Sequence, residues 1–69
     1  MKTSIKFADF VKSLELENET VLLKKENMIF PAVKAKYYLE NGFDDMDVDK
    51  ISVENGILVI VVKDGPKNA

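Results

Sequence analysis

The stretch that most constrains this chain is residues 51–62, where Asn55-Gly56 separates two β-rich arms. Asn-Gly is the dipeptide that a two-residue type I′ turn selects, because both central residues need positive φ. The sequence therefore predicts a β-hairpin over 51–62. Glu54 then faces Ile57, Val53 faces Leu58, Ser52 faces Val59 and Ile51 faces Ile60. One side carries Ile51, Val53, Leu58, Ile60 and Val62, and reads as the core face. The other carries Ser52, Glu54, Ile57, Val59 and Val61, polar on one arm and apolar on the other. A strand with one wet face alternates. The arm from Ile57 to Val62 does not, so a cover is expected on both faces, supplied by a helix or by a second copy. Ile57, Val59 and Val61 are accordingly the residues expected to mediate self-association, as a homodimer.

Upstream, Phe7, Phe10, Val11 and Leu14 form the i, i+3, i+4, i+7 stripe of an amphipathic helix. The stripe predicts a helix over 4–14, with Thr3 or Ser4 as its cap. A competing reading makes 3–6 a short strand and starts the helix near Phe7. Residues 20–24 are β-rich, 25–27 are polar and suit a turn, and Met28, Ile29 and Phe30 read as a second arm. A continuous helix over 19–30 is the alternative. Pro31 sits where a first helical turn tolerates proline, and Asn41-Gly42 is a stop signal. A second helix is expected over 31–41, with Ala32, Val33, Ala35, Tyr37 and Leu39 on its apolar side. Phe43, Met46 and Val48 are expected to pin the acidic linker 43–49 to the core. The polar residues 65–69 read as a flexible tail after a single domain over 1–64.

The expected fold class is α+β: two short helices packed on an antiparallel sheet that ends in the C-terminal hairpin. At 69 residues without cysteine or histidine, no disulfide is available and a zinc or haem staple is not expected. Stability must come from packing or association. Lys2, Lys6 and Asp9 interrupt the N-terminal apolar residues, and no apolar run approaches membrane-spanning length. A cytoplasmic protein without membrane contact is expected.

For chemistry the inventory is thin. Acid–base work would fall to carboxylates, lysine or tyrosine. Ser4, Ser13 and Ser52 have no identifiable activating base, and Gly42, Gly56 and Gly65 read as turn punctuation rather than a phosphate loop. Neither an enzyme nor a cofactor is expected. Between Glu40 and Glu54 there are six acids and one lysine, Lys50. Asp45, Asp47 and Asp49 share the spacing of the first ligands of a calcium loop, but Lys50 and Gly56 stand where that loop needs glycine and glutamate. No metal site is expected there. The acidic stretch, with Asp44, Asp45, Asp47 and Asp49, is the candidate partner-facing surface. Lys24, Lys25, Lys34 and Lys36, near Tyr37 and Tyr38, form a candidate basic patch. All ten basic residues are lysine, and the lack of arginine lowers the expectation of sequence-specific nucleic-acid reading.

The hairpin resembles the Glu-Asn-Gly-hydrophobic-Leu stretch of small heat-shock protein crystallin domains, from which the helical signals depart. The first half, with Met1 to Ile5, the amphipathic helix, Glu17 to Lys25 and Pro31-Ala32-Val33, resembles the Phd/YefM antitoxins. That resemblance implies a dimeric DNA-binding domain and a toxin-binding tail; as a DNA-binding regulator the chain is expected to use Lys24 and Lys25. The family's turn carries arginine and glycine where this chain has Lys25-Glu26-Asn27, and its helical tail is replaced here by the hairpin. The leading expectation is a non-catalytic protein-interaction module, a small regulator or inhibitor of the kind carried by bacterial or phage genomes. An antitoxin-like regulator and an assembly subunit are the alternatives.

Overall fold

The computed structural model describes residues 5–64. The expected tail and the capping candidates Thr3 and Ser4 lie outside them. The elements in chain order are α1 (Phe7–Ser13), β1 (Thr20–Lys25), β2 (Met28–Ile29), β3 (Val33–Lys34), α2 (Ala35–Glu40), β4 (Asp47–Glu54) and β5 (Ile57–Lys63). The strands form a single sheet in the order β2-β1-β5-β4, with β3 also pairing to β1. Both helices pack on one sheet face, giving a small α+β fold.

The sheet is mixed rather than antiparallel. β5 runs antiparallel to β4 but parallel to β1, with Val21 beside Leu58 and Leu23 beside Ile60. β5 is an interior strand, with neighbours on both edges, and the helices cover only its Leu58, Ile60 and Val62 face. Side chains Val21, Leu23, Ile60 and Val62 meet Phe7, Phe10, Val11, Ala35 and Tyr38 in the core. The hairpin pairs in the expected register from Ile51–Ile60 to Glu54–Ile57. Its turn residues have φ of 54° at Asn55 and 77° at Gly56, as a type I′ turn requires. The register shifts between Val48 and Lys50, so a bulge at Asp49 interrupts the arm.

Helix α1 starts at Phe7, not at 4, because Lys6 is held extended in a bridge to Asp47. Lys6 is the N-cap and makes no side-chain capping bond. The helix ends as Glu15 turns left-handed, leaving Leu14 exposed and placing Leu16 against the core instead. The segment after it is a strand pair, not a helix, and its turn holds Glu26 at positive φ.

The second helix is shorter than expected. Residues 33–34 join the edge of β1, Thr20 facing Lys34 and Val21 facing Val33, and only then does α2 begin. Pro31 therefore precedes a strand, where its fixed φ suits extended backbone. The later start rotates the buried side: Tyr38, not Tyr37, enters the core. Gly42 takes φ of 92° just past the helix, and Phe43 N–H reaches back to the Tyr38 carbonyl at 3.1 Å.

Candidate protein-interaction surface

The acidic loop is held from beneath by three rings. Phe43 packs edge-to-face on Tyr38 and Phe30, with centroids 5.2 and 5.1 Å away. The Tyr38 hydroxyl donates to the Pro31 carbonyl, and its burial pushes the phenol pKa above the usual 10.0. Met46 and Val48 pack on the core as expected, and the Phe7 and Ala8 amides donate to the Met46 and Asp44 carbonyls at 2.7 and 3.2 Å. The backbone of the loop is thereby fixed while the Asp44 and Asp45 side chains stay exposed.

The other two acids of the expected surface sit differently. Asp47 is 3% exposed, with its Oδ1 3.2 Å from Lys6 Nζ. No aligned hydrogen-bond donor reaches that oxygen, so the contact is ionic. Asp47 therefore joins the N-terminal segment to the sheet and is not available to a partner. Asp49 sits in the bulge with Oδ1 4.0 Å from Lys63 Nζ. Asp45, Asp47 and Asp49 thus diverge. Among the described residues no three acid side chains come together as a metal set would need.

The second sheet face carries no helix. Leu22 and Ser52 flank Val59 there, and Lys24 Nζ reaches Glu54 Oε2 at 3.8 Å across β5. Val59 is only 2% exposed within the single chain. Its cover is the ring of neighbouring side chains, including the methylene stems of Lys24 and Glu54. The reasoning that Val59 needs a second copy to bury it fails on this point. Ile57 and Val61 are half-buried beside it.

Exposed aliphatic side chains lie on the helix side of β4, and others at Met28 and Ile29 of β2. Ile51 is 47% and Val53 67% exposed, because the helices stop short of that end of the strand. Sequence reasoning placed both on the core face, which is the right face but beyond the core's reach.

The candidate basic patch is divided. Lys24 pairs with Glu54, and Lys25 Nζ lies 3.0 Å from Asp64 Oδ1. Lys34 and Lys36 are exposed, as is Tyr37, while Tyr38 is buried. The helical tail that the antitoxin resemblance implies has no counterpart among the described residues: the C-terminal arm is the interior strand. No helix among the described residues is long and apolar enough to cross a membrane. No protein-family model, curated protein or solved structure matches the chain.

Proposed function

We propose that the protein is a non-catalytic protein-interaction module, a small regulator or inhibitor that recognises other protein surfaces through β4 and the acidic loop leading into it. The observation that carries this reading is the exposure of Ile51 and Val53 on an edge strand. Isolated exposed aliphatics are ordinary on a protein surface. A pair in one row of an edge strand offers apolar contact together with backbone hydrogen-bonding groups, which is how strand addition works. Asp44 and Asp45 add negative charge at the other end of that strand. From Asp47, where the loop enters β4, to Val53 the strand spans about 20 Å. A partner engaging both ends is therefore at least the size of a small domain, with a basic patch facing the loop.

The test is a photo-crosslinking residue placed at Asp45, at Val53 or at Tyr37 in the native host. The same partner is expected from Asp45 and Val53 and not from Tyr37. Changing Asp44 and Asp45 to Asn should weaken that capture and flatten its salt dependence. Capture from Tyr37 alone, or capture indifferent to the Asn changes, contradicts the reading.

A further inference from the structure

The outer edge of β4 has a defined complement. In a two-residue hairpin the flanking pair, Glu54 and Ile57, exchanges backbone hydrogen bonds. Glu54 and Ser52 therefore aim their N–H and C=O groups at β5, and Val53 and Ile51 aim theirs outward. Among the described residues nothing pairs with that outer edge beyond Val48, whose N–H donates to the Ile5 carbonyl at 2.9 Å. Long edge strands are commonly blunted by a bulge, a lysine or a covering segment. Here the bulge at Asp49 limits regular pairing to 50–54.

We propose that this edge pairs antiparallel with the same edge of a second copy, with Ser52 on the two-fold axis. The pairing rests on the reading of β4 as a protein-recognition strand and describes the protein without its partner; a partner that engages both the acidic loop and β4 competes with the second copy for the edge. Outward-facing residues must meet outward-facing residues, so only registers centred on a residue are allowed. Centred on Ser52, Ile51 faces Val53 of the second copy, and each such pair exchanges both backbone hydrogen bonds. The apolar side chains meet on the helix side. On the other side Lys50 faces Glu54. Among the described residues Lys50 has no ion-pair partner, and Glu54 is reached only by Lys24. Centring on Ile51 sets Asp49 against Val53 and Lys50 against Ser52. Centring on Val53 sets Lys50 against Gly56 and Glu54 against Ser52. The Ser52 register alone of these three matches both charges and both apolar residues.

The arrangement also closes. A two-fold contact consumes the edge it uses. Among the described residues the opposite side of the sheet offers only the two-residue strands β2 and β3, separated by residues 30–32 with Pro31 at their centre. A dimer is the endpoint, not a filament.

Ser52→Cys tests the register in the full chain, which has no other cysteine. Opposed residues of a non-hydrogen-bonded antiparallel pair have Cα atoms about 4.5 Å apart, within disulfide range. Mild oxidation should yield a disulfide dimer. Val53→Cys alone should not, while Val53→Cys mixed with Ile51→Cys should. In sedimentation, Lys50→Glu or Glu54→Lys alone should weaken dimerisation roughly tenfold, and the double exchange should restore it. A monomer at every concentration, with the Ser52→Cys variant cross-linking no faster than the Val53→Cys variant, overturns the pairing. That result would leave the edge to a different protein. Partner capture through Asp44 and Asp45 is read separately and stands or falls without the dimer.

Discussion

Val59 and Val62 offer a matched test of how the sheet is covered. Both lie on β5, both are valine, and their exposures are 2% and 1%. Val62 points into the core, beneath the helices. Val59 lies on the other face under the side chains of its neighbours. Val→Ala removes two carbons, a transfer cost of about 1.5 kcal/mol at about 0.8 kcal/mol per carbon. At Val62 the packed helices relax only partly, and the residual cavity adds about 1 kcal/mol. At Val59 the stems of Lys24 and Glu54 can settle into the space, so the cavity contribution is small. The change in strand propensity is shared and cancels in the comparison. Val62→Ala should thus cost about 2.5 kcal/mol and Val59→Ala about 1.5 kcal/mol. Against roughly 3–5 kcal/mol of net stability for a domain of this size, both variants remain folded. Urea titration followed by circular dichroism reads the difference as about 1 M in midpoint, for an m-value of about 1 kcal/mol/M. Equal losses would mean that Val59 lies under a rigid roof, and would refute the side-chain cover.

Two further changes probe the supports of the acidic loop. Tyr38→Phe should cost about 1 kcal/mol at neutral pH by leaving the Pro31 carbonyl without its donor. The wild-type phenol is held above its ordinary pKa by burial, so folding favours the neutral form. Stability should fall as pH rises from about 10 through the raised value, and that part of the fall should vanish in Tyr38→Phe, as alkaline denaturation would read. Lys6→Met should cost about 1–3 kcal/mol, because it leaves the buried Asp47 carboxylate without its cation. Adding Asp47→Asn should recover part of that loss, and simple additivity in the double-mutant cycle would contradict the ion-pair role.

The hairpin was legible because its signal is local: a turn dipeptide fixes the register, and the period of two then assigns the faces. The uninterrupted apolar run pointed to a cover on both faces of β5, whereas the helices lie on one face only, and nothing local shows which strand lies beside it. The parallel partner β1 is far upstream in the chain, and such pairing is set by the whole sheet. The same cause misplaced α2. Pro31 to Asn41 has helical character, yet Val33 and Lys34 satisfy the open edge of β1, and the ladder outweighs propensity there. That shift exchanged the roles of Tyr37 and Tyr38. Of the acidic surface, Asp44 and Asp45 are exposed as expected. Asp47 was misjudged because its partner Lys6 is distant in sequence, although the competing strand reading of 3–6 held the clue. Ile51 and Val53 were missed as surface because alternation gives a face and says nothing of how far the helices extend over it.

Backbone amide hydrogen exchange along β4, followed across protein concentration, tests the self-pairing of this edge most directly. Ser52 and Glu54 point to β5 and should be protected at every concentration. Ile51 and Val53 point outward and should gain protection as concentration rises and the second copy docks. Protection at Ile51 and Val53 that is independent of concentration, or absent throughout, would contradict an open edge that closes on itself.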